Sequence, residues 1–283
     1  MRTIGEVLKL SSDFLSERKI DRARRIAEEL LCHVLKTKKI DLYLQFDKPV
    51  IDAELARLRE LLKRSAKNEP IEYITGEVDF FNCRIKVDPR VLIPRPETEI
   101  LVELISKKNP TGALWDICTG SGCMGIALKK AHPALSVTLS DISPDALSLA
   151  RENAALNQVE VELLQGDLLA PFKGQKADLI ICNPPYIAQA EMNTLDSSVK
   201  DFEPHLALVA GERGTEFYER LALELPNYLN PNGQVFLEIG STQGEALKKL
   251  FPHGQLHLDW AGHPRFFEIA RGRLQNIDQR DLR

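Results

Sequence analysis

The residues best equipped for chemistry are Asn183-Pro184-Pro185-Tyr186, which end the apolar run Ala177-Asp178-Leu179-Ile180-Ile181-Cys182. Such a run reads as a buried strand, so the tetrapeptide is expected where that strand leaves its sheet. A carboxamide, two prolines and a phenol ring then meet at one point. The Asn183 side-chain oxygen and the Pro184 carbonyl can each accept one N–H of a planar –NH2 group. Pro185 restricts the backbone before it and keeps the Pro184 carbonyl aimed inward. Tyr186 offers a flat face to a planar acceptor. An amide or aromatic amine is a poor nucleophile because its lone pair is delocalised. Holding both N–H groups turns that lone pair toward an electrophile and stabilises the positive charge that develops on nitrogen. No separate base is required, since the proton can leave after transfer. Asn183, Pro184 and Tyr186 are the candidate catalytic residues, and together with Pro185 they are the candidate grip on a substrate.

A second constellation lies upstream. Asp116-Ile117-Cys118-Thr119-Gly120-Ser121-Gly122 is a glycine-rich turn after another apolar run. A turn of this kind between strand and helix lets backbone approach a ligand closely and points helix N–H groups at it. The next apolar run ends at Asp141, 21 residues past Gly120, where an acid accepts hydrogen bonds from ribose hydroxyls. Gly166-Asp167-Leu168 follows the third run. Asp167 there can take an adenine amino group while Leu168 covers the ring, and Asp116 can receive the amino group of a methionine moiety. Cys118, Thr119, Gly120, Ser121 and Gly122 complete the candidate donor site, with Asn183 shared. Donor and acceptor motifs together point to S-adenosyl-L-methionine as methyl source, S-adenosyl-L-homocysteine as product, and transfer to nitrogen. NAD is the competing cofactor, because Gly120-x-Gly122-x-x-Gly125 formally fits G-x-G-x-x-G. Against it stand the acid at 116 and the lack of a His, Tyr or Lys motif for hydride transfer. Asp141 also has a plainer reading, as a strand-end helix cap ahead of Ser143-Pro144.

The elements that must position these groups follow from periodicity. Residues 1–75 read as helices throughout. Ala23, Ile26, Ala27, Leu30, Leu31, Val34 and Leu35 form one 3.6-period stripe with Asp21 as the expected N-cap. A further stripe carries Leu55, Leu58, Leu61 and Leu62, so a small helical bundle is expected. Residues 76–93 alternate around turn residues, as in a hairpin linker. Pro96-Glu97-Thr98-Glu99 opens a helix with proline near its first position and acids in its first turn. From 113 on, strands at 113–118, 136–140, 161–165, 177–182 and 234–239 alternate with helices at 122–131, 144–157 and 216–229. Strands at 256–259 and 266–270 close the chain. The expected fold is α/β: a Rossmann-like, mainly parallel sheet with a terminal antiparallel hairpin over residues 94–283, preceded by the helical domain.

Composition sets outer bounds. The chain has 283 residues, 43% hydrophobic and 28% charged, with a formal net charge of −4. Residues 1–75 hold 16 Lys+Arg against 13 Asp+Glu; the remainder holds 21 against 28, about −7. That balance disfavours a protein living on bulk phosphate contacts, so no direct nucleic-acid binding is expected. The mildly basic N-terminal part reads either as a docking face for an acidic partner or RNA, or as a solvated helical face. Five cysteines without framework spacing suggest a reduced, cytoplasmic protein. No zinc pattern is completed and no metal is expected. No run approaches a membrane span, and nothing resembles a dedicated dimerisation segment, so a monomer away from membranes is expected.

The Asn-Pro-Pro-Tyr turn does not identify its acceptor, since amino-methylating enzymes acting on adenine, on guanine in RNA and on protein glutamine share it. The flanks discriminate. Pro94-Arg95-Pro96-Glu97-Thr98-Glu99, Asp116 to Gly122 and Asn183 to Ile187 stand in one order with Glu203-Pro204, residues 207–211 and residues 214–218. Glu238-Ile239-Gly240 and Ala261 to Phe266 complete the set. This set resembles the HemK/PrmC family, the protein-(glutamine) methyltransferases of peptide-chain release factors, over essentially the whole chain. The resemblance implies that Cys118 to Gly122, Asp141, Leu168 and Asn183 contact the methyl donor. It implies that Asn183 to Tyr186 grip the glutamine of a Gly-Gly-Gln loop in class I release factors, with the helical domain docking the partner. Two departures are visible: Cys118 replaces the usual first glycine of the donor turn, and Leu168 stands where some relatives carry an aromatic residue. Glu97, and Arg95 with it, either line the pocket or serve the helix start. The other enzyme reading is an amino-methyltransferase of adenine or guanine in nucleic acid, which predicts a basic stripe near Asn183. A protein that merely binds adenosylmethionine predicts a broken acceptor motif.

Overall fold

The computed structural model describes residues 1–273 and divides into two compact units. The first comprises Met1–Gly76 with Asp196–Phe202, and the second Glu77–Leu195 with the chain from Glu203 on. The expected catalytic span 94–283 thus ends in residues 274–283, outside the described residues.

The first unit holds α1 (Ile4–Glu17), α2 (Ala23–Leu35), α3 (Lys39–Leu44), α4 (Asp52–Ser65) and α5 (Ile71–Thr75). α1 starts where Thr3 Oγ1 accepts from Glu6 N and Glu6 Oε2 accepts from Thr3 N, a reciprocal cap. The α2 stripe is buried at Ala23, Ala27, Leu30, Leu31 and Val34 and packs with Leu8, Leu15, Leu58 and Leu62. Each buried leucine contributes about 2 kcal/mol by leaving water. Asp21 does not cap α2. The chain arrives through left-handed Lys19 and Arg22, so the adjoining residue is Arg22, which makes no side-chain cap. The returning segment adds a turn of helix, Ser197–Lys200, tied by Asn68 Nδ2 donating to Ser197 Oγ (2.8 Å).

The second unit opens with β1 (Glu77–Phe80) and β2 (Cys83–Lys86), an antiparallel pair. Their two-residue link, Phe81-Asn82, has φ of 42° and 61°, the doubly left-handed turn whose twist suits a hairpin. α6 (Pro96–Ser106) follows, with Pro96 in its first turn. Then come β3 (Ala113–Ile117), α7 (Cys123–Ala131), β4 (Ser136–Asp141), α8 (Pro144–Leu156), β5 (Glu162–Gln165) and β6 (Ala177–Cys182). β7 (Ile187–Ala188), β8 (Val209–Gly211), α9 (Glu216–Glu224), β9 (Leu229–Glu238), α10 (Gly244–Leu250), β10 (Gln255–Leu258) and β11 (Pro264–Ala270) complete it.

Seven strands form one sheet in the order β10-β11-β9-β6-β3-β4-β5. β9, β6, β3, β4 and β5 run parallel, and β11 is inserted antiparallel to both of its neighbours, β9 and β10. β3 lies between β6 and β4, so successive strands depart to either side of it. That is the switch point where α/β sheets open a crevice at their carboxyl ends. Ile117 and Cys182 are register partners, which brings the donor and acceptor turns out of the sheet side by side.

Two expected elements differ, and two more were not expected at all. The helix foreseen over 216–229 stops at Glu224 and gives way to a 3-10 turn, Leu225–Asn227, because Pro226 cannot continue it. β9 begins at Leu229 rather than 234, and the Pro231-Asn232-Gly233 turn survives as a register shift against β6. α10 and the small parallel pair β7–β8 were not foreseen; both are too short for periodicity to reveal.

Candidate active site

The donor turn is built from its own neighbourhood. Asp116 Oδ2 accepts from Thr119 Oγ1 (2.7 Å) and Gly125 N (2.9 Å), closing the loop onto α7. Three turn residues take left-handed backbone: Cys118 at 55°, Gly120 at 53° and Gly122 at 80°. A Cβ on Gly125 would lie 2.3 Å from Leu139 Cδ2. The third glycine of the formal G-x-G-x-x-G is therefore needed for helix-on-strand packing. Asn153 of α8 braces the far side, donating to Ser121 O (2.9 Å) and to Lys86 O (3.0 Å).

Asp116 itself is fully enclosed and is not among the residues lining the cavity described next. Its Oδ2 is spent on the turn, and burial pushes the carboxyl up to about 7 against those hydrogen bonds. Its Oδ1 has no hydrogen-bond partner among the described residues.

At the ends of β3, β4, β5 and β6 lies a cavity of about 280 Å³. Its wall includes Cys118, Thr119, Gly120 and Ser121 from the donor turn, Asp141 from β4, Asp167 and Leu168 after β5, and Asn183 and Pro185 after β6. Gly122 is off the wall, under Ile126, Leu139 and Ala150. A Cβ placed on Gly120 would meet no atom within 4 Å, so that position faces open space.

Asp141 is fixed by Gly120 N donating to Oδ2 (2.9 Å) and Ser143 N donating to Oδ1 (2.9 Å). Burial raises its pKa, and the backbone N–H groups oppose that rise. It is not the cap of α8; Ser143 is, accepting from Ala146 N. Asp167 is half-exposed, and its Oδ2 is held by Arg220 of α9 (2.7 Å). Leu168 is buried at φ 47°.

On the acceptor side, Pro184 is buried and off the wall, and Tyr186 lies behind it against the core. Burial, with the Glu238 charge adding and Arg265 and Arg95 opposing, pushes the Tyr186 phenol up to about 12, so it stays neutral. Glu238 is buried on β9, accepts from Thr98 Oγ1 (2.7 Å), and is pushed up to about 7 by burial. Arg95 reaches the wall and pairs with buried Glu203 (2.6 Å), whose other oxygen accepts from Ile93 N (3.0 Å). Glu97 is not on the wall; it is a first-turn acid of α6. The sequence reading missed several wall residues: Ile142, Leu206, and Phe217 with Arg220. The last two had a usable signal, an i, i+3 spacing that puts both on one face of α9.

A parallel sheet opening at its switch point, with an acid-tipped β4 and Asn183 and Pro185 of an Asn-Pro-Pro-Tyr turn on one wall, defines a methyltransferase of the Rossmann-like class. Residues 96–206 match the model of the methyltransferase small domain, and residues 6–76 that of the PrmC N-terminal domain. The fold is shared with a methyltransferase of Pyrococcus furiosus (TM-score 0.50, 19% identity, 78% of this chain and 99% of that one). The hMettl16 catalytic domain shares it too (TM-score 0.53, 16% identity, 81% and 82%). Sequence similarity is more specific. The release factor glutamine methyltransferase of Geobacter sulfurreducens is 40% identical over 250 residues, 88% of either chain. That of Chlamydia trachomatis serovar D is 39% identical over 272 residues, 93% of this chain and 92% of its own length. The chain belongs to the release factor glutamine methyltransferase family.

Proposed function

We propose that this enzyme moves a methyl group from S-adenosyl-L-methionine to the side-chain amide nitrogen of the glutamine in the Gly-Gly-Gln loop of class I release factors. The observation that carries the reading is the placement of Gly120, Asp141, Leu168 and Asn183 on one cavity wall. The wall fits the donor: Gly120 leaves room where a side chain would intrude, Asp141 presents carboxylate oxygens already oriented by backbone, and Leu168 offers an apolar surface for a base. Asp141 would hold the ribose hydroxyls, and Leu168 with Ile142 would enclose the adenine. Asp167 would reach the adenine amino group with the oxygen that Arg220 leaves over. When bound, the donor supplies a methyl group on a sulfonium sulfur, ready for in-line displacement.

The protein's part is to aim the acceptor. Asn183 Oδ1 and the Pro184 carbonyl would each accept one N–H of the glutamine amide, leaving its nitrogen lone pair directed at the donor. As positive charge grows on nitrogen those two bonds strengthen, which is differential stabilisation of the transition state. Tyr186, neutral and held against the core, would pack on the planar amide. The proton leaves to water after transfer. A docking role for the helical unit, a monomeric state and a cytoplasmic setting complete the proposal; no helix among the described residues is long and apolar enough to cross a membrane.

The test is methyl transfer from labelled adenosylmethionine to purified release factor unmodified at its Gly-Gly-Gln loop. A Gln→Ala substrate, unmethylated DNA and RNA run alongside, with peptide mass analysis. Label on that glutamine, reduced about 10²–10³-fold by Asn183→Ala, is the expected result. Label on nucleic acid alone would replace the protein substrate with a base amino group.

A further inference from the structure

The acceptor turn has a support that none of its own residues supplies. Gln243, immediately before α10, uses its whole carboxamide on three backbone groups. Nε2 donates to Tyr186 O (2.9 Å) and to Gly214 O (2.9 Å), while Oε1 accepts from Gly240 N (2.9 Å). Two glycines make the space. A Cβ on Gly214 would stand 2.7 Å from Tyr186 O and 3.0 Å from Gln243 Nε2, and one on Gly240 would stand 3.0 Å from Gln243 Oε1. The last residue of the turn, the loop before α9 and the end of β9 are thus pinned through a single side chain.

We infer that Gln243 is the positioning residue of the acceptor turn, acting on the amide-gripping Asn183 through the Tyr186 carbonyl. The chemistry requires this side chain. Two N–H donors and one acceptor on one plane belong only to a carboxamide; an ionised glutamate would set its oxygens against two carbonyl oxygens, and asparagine is one methylene short. The mechanical link is the proline pair. Pro184 and Pro185 have φ fixed by their rings, so few soft torsions separate Tyr186 from Asn183. A shift at the Tyr186 carbonyl is then passed along the turn instead of being absorbed in it. The donor side has no such tie, since the Asp116 and Asp141 contacts on Thr119, Gly120 and Gly125 do not involve Gln243. This inference rests on the proposed role of Asn183 to Tyr186 in holding the glutamine amide.

The experiment compares wild type with Gln243→Met, which keeps length and loses all three bonds, and Gly240→Ala, which keeps the carboxamide but crowds it. Steady-state methylation of release factor gives kcat and KM, calorimetry gives affinity for S-adenosyl-L-homocysteine, and thermal melting reports the fold. Gln243→Met is expected to lose about 10²-fold in kcat, the scale of a small misplacement of reacting groups, with product affinity within about threefold of wild type. Gly240→Ala is expected to lose about tenfold, as a smaller displacement of the same group. Unchanged kcat in both variants overturns the inference, as does a kcat loss matched by an equal loss of product affinity. If Gln243→Met does not fold, the Gly240→Ala split between kcat and affinity decides by the same criterion. Wild type that methylates no release factor would instead overturn the functional reading beneath it.

Discussion

The donor turn and the acceptor turn leave neighbouring strands, β3 and β6, yet they are held in opposite ways. The donor turn is braced mainly from within: Asp116 holds Thr119 three residues on and Gly125 nine residues on, and Asp141 of the adjacent strand holds Gly120. The acceptor turn contains no internal hydrogen bond of this kind among the described residues. It relies on proline stiffness, on Gln243 lying 57 residues later, and on buried Glu238 and Arg265 behind Tyr186. Local bracing lets a turn form as soon as its strand and helix do, whereas remote bracing delays the acceptor geometry until β9 and α10 are in place. The two turns should therefore fail differently.

Glycine substitutions break the comparison most sharply. Gly120→Ala puts a methyl group into open cavity space at φ 53°. Strain of about 1 kcal/mol should leave the fold standing, while the filled space weakens S-adenosyl-L-homocysteine binding about 10–100-fold. Gly214→Ala puts the methyl 2.7 Å from a backbone oxygen of Tyr186, at φ 79°. That clash must move the acceptor turn, so melting temperature and kcat should fall, at a stability cost of ~2–4 kcal/mol. Product affinity should stay near wild type. Calorimetry and melting curves on both variants decide; equal losses of affinity in the two would mean that the turns are not independently supported.

Behind each turn sits one buried carboxyl, Asp116 for the donor and Glu238 for the acceptor, both pushed up to about 7 by burial. Their folded pKa values exceed the unfolded ones, so between roughly pH 4.5 and 7 the folded protein holds more protons than the unfolded chain. Stability therefore falls as pH rises through that window and levels off above it. Glu238→Gln keeps an acceptor for Thr98 and removes the charge. It should raise the melting temperature at pH 8, by up to ~3 kcal/mol of stability, with the gain vanishing by about pH 5. A gain that is the same at both pH values would mean that folding leaves the Glu238 pKa unshifted. The Asp116 contribution should persist in this variant as the remaining slope.

The same contrast explains what could be read from the chain before its fold was known. β6 was legible to the residue, Ala177 to Cys182, because its run is continuous and ends at prolines. Gly120, Asp141, Asp167 and Leu168 come together on one wall because strand-end positions follow from strand order, which a βαβ pattern fixes. Asp116 and Glu97 lie off that wall, and their roles were not legible for one reason: an acid near a turn is as useful to the backbone as to a ligand, and spacing alone does not say which. Gln243 was illegible because its partners, Tyr186, Gly214 and Gly240, are joined only by tertiary packing. The hairpin at 77–86 was legible as alternation, but its tie to the donor turn through Asn153 was not.

Cys118 gives the smallest and most chain-specific test. It holds φ 55° without being glycine, a strain of ~1–2 kcal/mol for a side-chain-bearing residue. Cys118→Gly relieves that strain but adds freedom to the unfolded chain worth about 0.5–1 kcal/mol. The net gain should be under ~1 kcal/mol, a rise of roughly 2 °C in melting temperature. Because Cys118 is on the cavity wall while its neighbour Cys182 is fully buried, a thiol-alkylating reagent should reach Cys118 before Cys182. Treatment with iodoacetamide should then abolish S-adenosyl-L-homocysteine binding in the wild type and spare it in Cys118→Gly. Equal loss in both proteins would show that the sensitive thiol lies elsewhere. Sparing in Cys118→Gly with unchanged melting temperature would show that the donor turn bears its left-handed cysteine without measurable cost, as a locally braced loop can.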